Sequence, residues 1–125
     1  MYRYYNPNPD KKNVGDCTVR AICGATGKTW DEIHTCLCVL SNEMRDMPDS
    51  NRVWGEYLSR IGWRRKFLRD DCPACYTVGD FCREYPRGTY ILGLEGHVVC
   101  VKDGVLLDTW DSRGKAPLYY WLKEN

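Results

Sequence analysis

The chain has 125 residues, 43% of them hydrophobic, and a formal net charge of +1. That length suits a single domain, 1–125, able to bury a core without metal or disulfide staples, and five Trp and nine Tyr argue against disorder. The balanced charge argues against a nucleic-acid partner, and no run of about 18 apolar residues offers a membrane span. Residues 1–16 read as an irregular arm because Asn6-Pro7-Asn8-Pro9-Asp10 clusters turn formers. The polar start lacks a secretory signal's apolar segment, so a cytoplasmic location is expected, with the eight cysteines kept as free thiols.

A helix from Cys17 to Ala25 follows, with Asp16 as its N-cap and Gly27 just past its end. Thr29 and Glu32 form a capping box for a second helix carrying Trp30, Ile33, Leu37, Leu40 and Met44 on one stripe. After the break at Asp46-Met47-Pro48-Asp49-Ser50, a third helix turns Val53, Trp54, Tyr57, Leu58 and Ile61 inward and stops at Gly62. Trp63 to Arg69 reads as a strand, Asp70 to Cys75 as a loop, and Thr77 with Asp80 caps a short helix ending near Tyr85-Pro86. Strands then dominate: Gly88–Leu94, Gly96–Lys102, Val105–Trp110 and Leu118–Leu122. Asp103-Gly104 forms a two-residue hairpin turn between the second and third of these. Helices first and antiparallel strands afterwards give an α+β domain, with N-terminal helices packed on a C-terminal sheet.

The chemistry centres on Cys17. Gly15-Asp16 leads straight into a cysteine that opens a helix, where the macrodipole and the unpaired first-turn N–H groups favour thiolate. The chain has two histidines, and His97 falls on a strand of the hairpin. A two-residue turn at 103–104 pairs Lys102 with Val105, which sets His97 opposite Trp110 and Val99 opposite Asp108. Asp108 is then diagonal to His97 on the same face. Asp111 points to the other face, although a one-residue bulge would bring it into contention as an alternative acid. A thiolate nucleophile, a base and an orienting acceptor are the three parts of a nucleophilic triad, and Cys17, His97 and Asp108 fit them in chain order.

Gly15-Asp16-Cys17-Thr18-Val19-Arg20-Ala21, Gly96-His97-Val98-Val99 and Asp108-Thr109-Trp110-Asp111-Ser112 resemble segments of small phage and prophage proteins of the papain-like cysteine peptidase superfamily. The Cys-to-His order and gap are similar to the bacteriocin-leader peptidase branch. The resemblance runs over nearly the whole chain, including Asn6-Pro7-Asn8-Pro9 and Tyr119-Tyr120-Trp121. It implies a papain-like fold and a cysteine peptidase or related thiol amidohydrolase, encoded by a phage or prophage and working in the bacterial cytoplasm on a peptide or protein substrate. A transglutaminase or deamidase outcome would use the same triad. No cofactor or metal is implied. Papain-like enzymes usually carry a Gln about six residues before the cysteine to stabilise the oxyanion. Lys11 stands there instead. Asn13 is the nearest amide donor, with Asn8 a further candidate. The alternative is a catalytically silent papain-fold phage protein that binds a host protein.

Other motifs carry less. Cys72-Pro73-Ala74-Cys75 is half a zinc site, but Cys36 and Cys38 project about 200° apart on a helix and do not complete it. As a redox pair it lacks the strand and helix context of thioredoxins. His34 and Cys38 lie one turn apart beside the apolar stripe and read as structural. Gly27-Lys28-Thr29 ends a helix and so does not form a phosphate loop. The basic run from Arg60 to Arg69 reads as a solvated strand face.

Overall fold

A computed structural model describes residues 1–68 and 76–123. Among these, helices α1 (Cys17–Thr26), α2 (Trp30–Met44), α3 (Asn51–Arg60) and α4 (Val78–Glu84) pack on a six-stranded sheet. Its strands are β1 (Tyr2–Tyr4), β2 (Trp63–Phe67), β3 (Thr89–Leu94), β4 (His97–Lys102), β5 (Val105–Asp108) and β6 (Pro117–Lys123), in the order β1-β5-β4-β3-β6-β2. Every pairing is antiparallel except β1 with β5. The expected α+β architecture, with helices mostly N-terminal, is therefore present. None of the described helices is long and apolar enough to cross a membrane.

Alternation along the strands divides the core in two, since successive side chains point to opposite faces. Ile91, Val98, Cys100 and Trp121 face the helices α1, α2 and α3, whose buried stripes include Ile22, Ile33, Leu37, Trp54 and Leu58. Leu92, Val99, Val101, Leu106 and Tyr120 face Val78 and Phe81 of α4. The contact of α1 with β4 is close. A Cβ on Gly24 would lie 3.2 Å from the Cys100 Cβ, so glycine lets the helix sit low on the strand.

Local signals set the helix ends. Thr29 and Thr77 each form the reciprocal capping box with Glu32 and Asp80, and Gly27 adopts a left-handed φ of 77° that closes α1. The hairpin register is also as expected: Lys102 pairs with Val105, Val101 with Leu106 and Cys100 with Leu107. Asp103 and Gly104, at φ 51° and 74°, supply the two left-handed residues of a type I′ turn.

Three expectations need correction. The arm of residues 1–16 is not irregular throughout, because Tyr2–Tyr4 pair in parallel with Leu106–Asp108. The Tyr5 N–H continues this with a 2.9 Å bond to the Asp108 carbonyl. The strand expected to reach Trp110 stops at Asp108, whose carboxylate accepts from the Thr109 N–H at 2.7 Å and turns the chain. The strand from Trp63 ends at Phe67. Arg69 and the loop Asp70–Cys75, with the Cys72/Cys75 pair, lie outside the described residues.

Candidate active site

Cys17, His97 and Asp108 come together where α1 begins, β4 begins and β5 ends. The His97 Nε2 lies 2.7 Å from the Asp108 Oδ2. That leaves Nδ1 as the ring nitrogen available to Cys17, whose thiol is lowered by hydrogen-bonding influence from His97 and from the Val98 backbone. Burial pushes the Cys17 thiol up, but these bonds and the His97 and Arg20 charges outweigh it and hold the thiol below its ordinary value. Burial alone would lower the His97 pKa. The bonds to Asp108 and Cys17 override that and raise it to about 9. A thiolate–imidazolium pair is the resting arrangement these shifts favour. Trp110 stacks on the His97 ring at 5.1 Å between centroids while remaining 44% exposed.

Asp108 is 0% exposed and saturated with donors. Besides His97, its Oδ2 accepts from the Ser112 hydroxyl at 2.8 Å, and its Oδ1 accepts from the Arg20 guanidinium at 2.9 Å. Burial raises its pKa, but these partners, His97 first, outweigh it and keep the carboxyl below the ordinary carboxylate range.

Arg20 lies in the motif around Cys17, three residues beyond the thiol. It is 4% exposed and bridges two carboxylates, Asp108 and, at 2.5 Å, Asp16. The Asp16 Oδ2 also accepts from the Trp30 indole N–H at 2.9 Å. This corrects the expectation for Asp16. It occupies the N-cap position of α1, yet its side chain makes no cap bond, because the buried Arg20 charge and the indole claim both oxygens. The first-turn N–H groups of α1 are consequently uncapped beside the thiol. The available signal was an Arg three residues after the cysteine, among apolar positions of a helix that packs on the sheet.

Of the remaining candidates, all but Asn13 are engaged with other partners. Asp111 is exposed and held by Arg113 through bonds of 2.8 and 2.7 Å, so it does not replace Asp108. Asn13 is exposed and makes no hydrogen bond among the described residues. Lys11 has a left-handed φ of 58° and donates its ammonium to the Asn6 carbonyl at 3.1 Å. The buried Asn8 uses its side-chain oxygen to accept from the Asp10 N–H at 2.9 Å, a turn-forming role. His34 stacks on Trp30 at 4.7 Å, with its Nε2 3.7 Å from the Cys38 sulfur. No cluster of three or more His, Cys, Asp or Glu side chains able to hold a metal ion occurs among the described residues.

A cleft of about 690 Å³ lies beside His97, lined by Leu94, Glu95, Gly96, Trp110, Lys115 and Leu118 among others. A second depression of about 360 Å³ opens next to the start of α1, against Val14, Gly15, Trp30 and Met47. Tyr119 lies across Gly93, where a Cβ would meet the ring at 2.2 Å. No protein-family model, no curated protein and no solved structure matches the chain.

Proposed function

We propose that the protein is a papain-like thiol hydrolase that opens a peptide, isopeptide or related amide bond. Cys17 is the nucleophile, His97 the acid and base, and Asp108 the residue that orients His97. The observation that carries this reading is the connected line Cys17–His97–Asp108, with the thiol held low, the imidazole held high and a 2.7 Å bond fixing the ring. A cysteine at the start of a helix packed on an antiparallel sheet, with its histidine and acid on adjacent strands, supports the finer papain-like reading.

In this mechanism the Cys17 thiolate attacks the carbonyl carbon, and the oxyanion gathers at the uncapped N-terminus of α1, where the Cys17 N–H is the nearest donor. The His97 imidazolium gives its Nδ1 proton to the departing amine, which leaves through the cleft lined by Trp110 and Leu118. Neutral His97 then takes a proton from water, and the hydroxide carbon–oxygen bond forms as the thioester breaks. Acid product and resting ion pair are restored.

Peptide-mapped iodoacetamide labelling tests the reading. Cys17 should react faster than the exposed Cys36 at pH 6–7, and His97→Ala should slow it by about tenfold or more, since the thiolate loses its partner. Equal rates at Cys17 and Cys36 would overturn the activated thiol. Amide hydrolysis should also fall above about pH 9, where His97 loses its proton, while alkylation stays fast. The silent binding module is favoured by one feature, Lys11 in place of the Gln that papain-like enzymes usually carry. Absence of turnover by wild-type protein on peptide libraries, with Cys17 labelling intact, would select it.

A further inference from the structure

The Asp108 carboxylate is shared between two cations. Its Oδ1 accepts from the Arg20 Nη2 at 2.9 Å and from the Thr109 N–H at 2.7 Å. Its Oδ2 meets the His97 Nε2 at 2.7 Å and accepts from the Ser112 hydroxyl at 2.8 Å. Thr109 and Ser112 follow Asp108 in its own turn, so Arg20 is the one partner that a helix brings, and its charge is permanent. The other arm of the guanidinium is anchored on the Asp16 Oδ1, while the Trp30 indole N–H holds the Asp16 Oδ2 at 2.9 Å. A line of hydrogen bonds therefore runs from Trp30 on α2 through Asp16, Arg20 and Asp108 to His97.

Asp16, Arg20 and Asp108 are all buried. Taking charges out of water often costs more stability than apolar packing of the same volume, so stability alone is a weak reason for this network. Its effect on the histidine is direct. A carboxylate tightens the hold of an imidazole on its proton, and a cation on the far oxygen takes back part of that pull. An imidazolium that holds its proton too tightly is a poor acid for a departing amine.

Resting on the hydrolase reading of Cys17, we propose that Arg20 is a positioning residue that acts through Asp108, sharing that carboxylate with His97 so that the imidazolium stays acidic enough to protonate the leaving amine. The other charged or titratable groups around His97 and Asp108 are Cys17 of α1, Asp16 before it, the Tyr2 hydroxyl of β1, Asp111 beyond β5, and Glu95 and Lys115 in the cleft. Among these and Arg20, the guanidinium alone is a cation buried against Asp108.

NMR titration of 15N-histidine protein tests it, with His34, the other histidine of the chain, as internal reference. Asp16→Asn alone leaves more of the guanidinium charge to Asp108 and should lower the His97 titration by about a few tenths of a unit. Adding Arg20→Gln to Asp16→Asn removes the guanidinium without stranding Asp16, and His97 should then titrate about half a unit or more above the Asp16→Asn protein. For peptide hydrolysis, that second step should lower kcat by about threefold or more with KM little changed, and the basic limb of the pH profile should move up with His97. A stability loss with no difference in His97 titration between the two variants makes Arg20 a structural ion pair and overturns the proposal. If the double variant does not fold, a His97 titration that rises or stays in place in Asp16→Asn overturns it equally. Absence of turnover by wild-type protein counts against the hydrolase reading, whereas the titration decides the hold of Arg20 on His97 without substrate.

Discussion

Arg20 carries a charge into the interior and keeps it there by holding Asp16 and Asp108 together, at 2.5 and 2.9 Å. One residue thereby ties the turn before the thiol to the acid behind the histidine. Arg20→Met should cost about 3–5 kcal/mol in urea unfolding, because it strands two buried carboxylates. Arg20→Lys should recover only part of that, since an ammonium lacks the fork that reaches both. Asp108 was readable from the sequence because hairpin register is arithmetic once the turn is known. Arg20 and the diverted Asp16 were not, because an arginine on a helix is ordinarily a surface residue and an aspartate before one is ordinarily a cap. Only the packing of α1 against the end of β5 turns them inward.

Among the elements, those written in local chemistry were legible. Thr29 with Glu32, Thr77 with Asp80, Gly27 and Asp103-Gly104 each specify their own end or turn within a few residues. The strand β1 was hidden because three residues, Tyr2–Tyr4, acquire their conformation from a parallel partner far along the chain. Gly104→Ala probes the element that sets the triad's register. At φ 74° an alanine is strained, and its Cβ would lie 3.1 Å from the Cys82 carbonyl oxygen. A loss of about 1–2 kcal/mol is expected by thermal unfolding, with slower Cys17 alkylation as His97 and Asp108 lose their pairing.

For the molecule as a whole, the raised His97 pKa makes stability depend on pH. A histidine whose folded value lies near 9 and whose ordinary value is 6.5 stabilises fully below 6.5. That contribution is lost as pH rises through 9. Cys17 works in the opposite sense: its lowered pKa adds stability as pH climbs toward 9, partly masking the loss. Cys17→Ser removes the mask. Urea midpoints of that variant should fall as pH rises from 6.5 to about 8, below the range in which the buried cysteines titrate in the unfolded chain, and that trend should vanish when His97→Gln is added. At the acid end Asp108 stabilises above its ordinary carboxyl range, and its contribution disappears as pH drops through its lowered folded value. The close seat of α1 on β4 has a mechanical consequence. Gly24 stands seven residues, about 10 Å, along the helix from Cys17, and the space its missing side chain leaves acts as a fulcrum. A methyl added there would press on the Cys100 side chain from 3.2 Å, and slower Cys17 alkylation in Gly24→Ala would show that the helix gives way before the strand does. The reactivity of the thiol would then be geared to the thickness of a contact with Cys100.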